Sequence, residues 1–184
     1  HSTPIVSVDL WYNTGSRNER EGRTGFAHLF EHMMFQGSAN VKKAEHFQLI
    51  QRAGGTMNGS TSEDRTNYFE TLPSNRLNLA LWLEADRMRS LAITQENFEN
   101  QRETVKEERR LGVDNRPYGA AFTDGLTVPS DSTACFAYAH TVIGSMDDLN
   151  AASLDDVHAP TLKTLVRQSE KHMKKMVKER TKKS

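Results

Sequence analysis

Two histidines four residues apart, with a glutamate just before the second, set the strongest constraint on how this chain folds: His28-Leu29-Phe30-Glu31-His32. Residues three and four apart share one face of an α-helix. His28 and His32 therefore converge one turn apart, and Glu31 borders the same space. The flanking residues say what kind of helix this is. Phe26, Leu29, Phe30, Met33 and Met34 surround it with apolar side chains, which predicts a largely buried helix. Imidazoles and a carboxylate on a buried helix need polar partners. A metal ion with its water satisfies all three, and zinc accepts neutral imidazole nitrogens. A catalytic zinc normally has three protein ligands, so the fold must bring one more side chain to this helix.

The remaining sequence predicts how that helix is housed. Ile5 to Tyr12 is rich in β-branched and aromatic residues and reads as a strand, closed by Asn13-Thr14-Gly15-Ser16. A second helix runs from Lys42 to Ala53, with Phe47, Ile50 and Ala53 inward and Gly54-Gly55 ending it. Two short strands follow, Thr56 to Thr61 and Thr66 to Leu72, joined by the turn Ser62-Glu63-Asp64-Arg65. Pro73-Ser74 breaks the second of them, and Ser74 or Asn75 caps a third helix. That helix carries Leu77, Ala80, Leu81, Trp82 and Leu83 and ends near Met88 to Ser90. Thr94 caps a fourth, strongly charged helix from Gln95 to about Leu111. Asn115 to Gly119 is loop, and Ser145 and Ser153 are two further N-caps, the latter with Asp156 at N3. Strands first and long helices after, without strict alternation, predict an α+β fold: an antiparallel-rich sheet covered by helices.

Composition bounds the rest. A chain of 184 residues suits one domain with a real core. Net charge is zero, yet Thr161 to Ser184 holds nine Lys/Arg against two Glu, so this tail carries +7 and the remainder −7. The expected division is a half-domain over 1–160 and a basic, helical or disordered tail over 161–184. In that tail Leu162, Leu165, Val166, Met173, Met176 and Val177 fall at helical spacing. A basic amphipathic helix binds membranes, acidic partners or nucleic acid, but a solvated, frayed terminus is the plainer reading. No nucleic-acid partner is expected. The lone Cys135 rules out a disulfide within the chain, and no apolar run approaches a membrane span of about 20 residues. The chain opens directly on strand-like sequence, without initiator Met or signal peptide, as a processed product or a fragment would.

Candidates for the third ligand lie on the fourth helix: Glu99, Glu103, Glu107 and Glu108. Most of a charged helix is solvated surface, and periodicity alone does not choose among them. Phe98 and Val105, two turns apart, mark a buried face, and Glu108 lies nearer that face than Glu107.

H-x-x-E-H is the inverted order of the zinc-peptidase helix motif. With its surroundings the chain resembles the pitrilysin/insulinase family of inverted zinc peptidases (M16-type), which includes the mitochondrial processing peptidases. The resemblance covers roughly residues 5 to 158. The family pattern of paired glycines followed by N-x-x-T-x-x-D-x-T-x-Y is similar to Gly54-Gly55 through Asn58, Thr61, Asp64, Thr66 and Tyr68. A V-x-x-E element is matched by Val105-Lys106-Glu107-Glu108, and Pro117-Tyr118-Gly119 and Ile143-Gly144-Ser145 resemble segments of bacterial members. The resemblance implies a processing-peptidase-like half-domain in which His28, His32 and Glu108 hold one Zn2+ and Glu31 is the general base. It implies that a peptide or unfolded protein segment is added as a strand near Asn58, Gly59 and Thr61. Many members carry a second glutamate seven residues before the metal-binding one. Gln101 stands there, keeping hydrogen-bonding capacity for an outer-shell role but no charge.

Members of the family are built from repeated halves that close around substrate, and this chain resembles part of the first. The implied partner is a complementary second half-domain or a homologous subunit. The expected activity is that of a zinc-dependent endopeptidase, weak in the isolated chain. The alternative is a catalytically incompetent fragment, or a structural or partner-binding subunit of the same family. A bacterial periplasm or other extracytoplasmic space is the expected location, with the mitochondrion as the alternative.

Overall fold

The computed structural model describes residues 4–20, 22–117 and 144–158. Three antiparallel strands form one sheet in the order β1-β3-β2: β1 (Ile5–Tyr12), β2 (Thr56–Thr61) and β3 (Thr66–Pro73). The long register between β1 and β3 runs from Ile5 opposite Pro73 to Tyr12 opposite Thr66. β2 and β3 form a hairpin from Thr56 opposite Thr71 to Thr61 opposite Thr66. Its turn is closed by Ser62 N donating to Arg65 O at 2.8 Å. The anticipated strands and the anticipated turn are thus all present.

Alternation decides which side of the sheet is covered. Val6, Val8, Met57 and Leu72 face one way and pack with Val41, Ile50, Ala80 and Leu83 into a core beneath α2 (Glu45–Arg52) and α3 (Leu77–Ser90). α2 ends as its glycines require. Gly54 takes the left-handed region at φ 81°, and its N–H donates to Gln51 O while Gly55 N donates to Ile50 O at 2.9 Å. Gly55 also has no room for a side chain, since a Cβ would meet Thr71 O at 2.7 Å.

The motif helix α1 (Phe26–Met33) packs against α4 (Gln95–Arg109) and reaches β2. Phe26, Leu29 and Met33 are buried on it, and Phe98 and Val105 are buried on α4, as their spacing predicts. Thr94 caps α4 by accepting from Asn97 N, and Ser145 caps α5 (Met146–Ala151) by accepting from Asp148 N. α4 runs into a π-turn at Arg110–Asp114 near where its end was expected.

Two expectations are corrected. α2 begins at Glu45 rather than Lys42, because Glu45 folds back to accept from Lys42 N at 2.8 Å and Ala44 sits at φ 61°. Neither Ser74 nor Asn75 caps α3: both lie inside a 3₁₀ turn, Ser74–Arg76, and α3 starts at Leu77 with no side-chain cap. Of the apolar residues on α3, Ala80 and Leu83 are buried, whereas Leu81 and Trp82 are each 47% exposed.

The chain divides into two compact units, 1–152 and 153–184. In the second, the described part is α6 (Leu154–His158). Asp156 reaches back there to accept from Ser153 N and from its hydroxyl, each at 2.9 Å. Cys135, Tyr118-Gly119, Ile143 and the basic tail lie outside the described residues. Among the described residues no helix is long and apolar enough to cross a membrane.

Candidate metal centre

α1 lacks a capping side chain of its own. Its N-cap is Gly25, at φ 86°. Glu19 takes over that role, and Asp148 anchors the residue before the cap. Glu19 accepts from Gly25 N at 2.8 Å and from Ala27 N at 2.7 Å. Asp148 accepts from Thr24 N at 2.9 Å and from the Thr24 hydroxyl at 2.5 Å. Both oppose the positive end of the helix dipole. They also tie the motif helix to the loop before it and to α5, which fixes its rotation.

With that rotation, His28 and His32 point their Nε2 atoms at one spot, 3.1 Å apart, with rings at 88° to each other. α4 supplies the third group. Phe98, Gln101 and Val105 are buried at spacings of three and four residues, and Glu108 continues that stripe. Its Oε2 lies 3.4 Å from His28 Nε2 and 3.5 Å from His32 Nε2. The other candidate glutamates turn elsewhere: Glu99 accepts from Gln95, Glu103 pairs with Lys106, and Glu107 pairs with Arg110.

This triangle can be tested against an ion. Tetrahedral zinc with bonds of about 2.0–2.2 Å holds neighbouring ligand atoms about 3.3–3.6 Å apart. The sides from Glu108, 3.4 and 3.5 Å, fall in that range, and the one between the imidazoles, 3.1 Å, lies just below it. The donor set of two imidazoles and a carboxylate suits zinc as well. Burial, and secondarily His32, lowers the His28 pKa to about 4, which keeps its imidazole neutral as ligation requires. Outside the triangle, Gln101 Oε1 lies 3.3 Å from His32 Nδ1. His28 Nδ1 is buried with no hydrogen-bond partner among the described residues.

Glu31 lies beside the triangle and is absent from the converging group. Its Oε2 accepts from Thr61 Oγ1 at 2.5 Å. Burial raises its carboxyl pKa, opposed by the Thr61 hydrogen bond and by His32; Glu108 raises it further, and Arg65 lowers it. Of the three residues expected on the substrate strand, Gly59 and Thr61 face α1. A Cβ on Gly59 would stand 3.2 Å from Glu31 Oε1 and 3.1 Å from Phe35 Cζ. Asn58 lies on the opposite, exposed side of β2, where its Oδ1 accepts from Gly59 N.

A second group of ligand type was not anticipated. His46, Glu70 and Glu84 are all buried, with His46 Nε2 at 2.6 Å from Glu70 Oε1. Arg87 fills this group's charge requirement. Its guanidinium meets Glu84 Oε1 at 2.5 Å and Oε2 at 3.0 Å, and it lies 4.2 Å over the Tyr68 ring. Burial lowers the His46 pKa to about 4 and raises that of Glu84 to about 7, favouring the neutral form of each. A side-chain cation already sits here, although Glu70 Oε2 and Arg87 Nη1 are buried without a hydrogen-bond partner among the described residues. The sequence did carry a signal for it: Glu70 alternates in phase with Tyr68 and Leu72, and Glu84 and Arg87 extend the Ala80–Leu83 face.

Comparison with known proteins gives a consistent picture. Residues 1–122 match the family described as insulinase (peptidase family M16). The zinc protease PqqE of Helicobacter pylori is 36% identical over 157 residues, which is 85% of this chain and 35% of that protein. A crystal structure of a protease from Helicobacter pylori superposes with a TM-score of 0.79 at 36% identity, over 85% of this chain and 37% of that one. The first half of the periplasmic protease PqqL from Escherichia coli shares the fold, with a TM-score of 0.73 at 22% identity, over 90% of this chain and 36% of that one. The chain therefore spans about a third of the length of the relatives described.

Proposed function

Because this chain belongs to the insulinase family of peptidases, family M16, we propose that it carries the catalytic centre of a zinc-dependent endopeptidase. The observation that carries this reading is the meeting of His28 Nε2, His32 Nε2 and Glu108 Oε2 within 3.5 Å of one another, with Glu31 outside that group. In it, His28, His32 and Glu108 would hold the zinc, which when bound would supply a water of pKa about 7 and polarise the scissile carbonyl. Glu31 takes the proton of the attacking water at a carboxylate oxygen and passes it to the leaving amine. Gln101 steadies the His32 ring through Nδ1, which fixes the tautomer that leaves Nε2 free for metal. The substrate, a peptide or unfolded segment, adds as a strand along β2 near Asn58 to Thr61. β2 has β3 as its one sheet partner among the described residues, so its outer edge is open to such a strand.

A chain of about a third of a relative's length invites the second reading, a non-catalytic or partner-dependent subunit. In the proposal a complementary half-domain or homologous subunit completes the site. The periplasm remains the proposed location, ahead of the mitochondrion, and fractionation of the source cells tests it.

Zinc quantification combined with cleavage of a quenched fluorescent peptide tests the centre. Wild-type chain should hold one zinc and cleave when a complementary half is supplied. Glu31→Gln should keep the zinc and lose cleavage. Absence of bound zinc, or undiminished cleavage by Glu31→Gln, overturns the proposal.

A further inference from the structure

We propose that the Thr61 side chain is a positioning group for Glu31, leaving only the Thr61 backbone to the substrate strand. The inference rests on the peptidase reading and deepens it. Thr61 closes β2 on the face turned toward α1, and its hydroxyl donates to Glu31 Oε2 at 2.5 Å, in the range of a strong hydrogen bond to a carboxylate. The hydroxyl is itself held in place. Thr61 pairs with Thr66 across the hairpin, and Thr66 Oγ1 lies 3.4 Å from Thr61 Oγ1 while donating to Thr14 O at 3.0 Å. Two residues earlier on the same face, Gly59 lets the β2 backbone approach the other carboxylate oxygen, where a Cβ would stand 3.2 Å from Oε1.

β2 thus engages one oxygen of the carboxylate and leaves space beside the other. A hydroxyl engages Oε2, the absent side chain of Gly59 leaves Oε1 uncrowded, and the described residues place no hydrogen bond on Oε1. Rotation of the carboxylate would break the Thr61 contact. The consequence is a base presented with one oxygen tethered and the other available to accept a proton. Glycine and threonine two residues apart on one strand face achieve this together.

Thr61→Val keeps the β-branched shape and removes the hydroxyl; Thr61→Ser keeps the hydroxyl. The assay uses zinc-loaded chain with the complementary half, and crystal structures of both variants provide a readout independent of activity. Thr61→Val should lower kcat by roughly 10- to 100-fold, the scale of a misplaced catalytic group, with KM and zinc content unchanged. Its Glu31 carboxylate should be displaced. Thr61→Ser should restore both rate and position. Adding Thr61→Val to Glu31→Gln should cost nothing further, since the two act as a unit. A raised KM with unchanged kcat would assign Thr61 to the substrate and overturn the proposal. So would a Glu31 carboxylate that stays in place in Thr61→Val. If wild type itself fails to cleave, the peptidase reading falls, and the carboxylate position alone then decides the role of Thr61.

Discussion

Glu19 shows how much one side chain is asked to do at the start of the motif helix. It accepts from two backbone N–H groups at the end of α1, yet burial outweighs them and raises its pKa to about 7. A folded pKa above the unfolded value of about 4.4 gives stability that is fully present below that unfolded value and lost as pH rises through 7. Glu19→Gln removes the titration and keeps an acceptor. Wild type should therefore lose stability relative to Glu19→Gln between pH 5 and pH 8, as measured by urea denaturation at both values. A constant difference would show that Glu19 is ionised throughout. Glu31 stands under the same pressure from burial, and its tether to Thr61 opposes it.

Besides the apolar core, one polar network joins the elements. His46 on α2, Glu70 on β3, and Glu84 and Arg87 on α3 meet on the sheet face that also carries Tyr68 and Gly59. Arg87 is the sole cation among these four side chains once His46 is neutral, and its stacking over Tyr68 couples the network to the wall beside Glu31. Arg87→Met should leave two buried carboxyls without a counter-charge and destabilise the fold by about 3–5 kcal/mol, the usual cost of breaking a buried pair. Chemical denaturation of the purified variant checks this. A loss below about 1 kcal/mol would mean that the carboxyls simply hold their protons.

For the molecule as a whole, the proposed metal links two helices that are far apart in sequence. α1 brings His28 and His32, and α4 brings Glu108, which is 45% exposed at its side chain. An ion bound by both should stabilise the folded chain by mass action, by about 2.7 kcal/mol at a free concentration one hundred times Kd. Calorimetry should show the melting temperature rising with added zinc and falling with a chelator. Substituting Glu108→Ala should erase most of that dependence. The basic tail makes no part of this prediction, since the three proposed ligands lie within residues 28–108.

Reading the sequence alone was enough for the motif helix, all three strands and the hairpin turn, because each has a short-range signature. A buried helix declares itself by apolar residues on all sides, a half-buried strand by alternation, and a helix end by Gly54-Gly55 or Thr94. It also exposed the family, through motifs spread from Gly54 to Glu108. It could not by periodicity choose Glu108 from four glutamates on one helix, because that choice depends on how α4 is rotated against α1. Nor could it separate Thr61 and Gly59 from Asn58 by role. All three sit within four residues, and only the packing of β2 on α1 decides which side chains face Glu31. The capping of α1 by Glu19, the anchoring of Thr24 by Asp148 and the network around Arg87 were likewise decided in three dimensions: hydrogen bonds from outside an element leave no period within it.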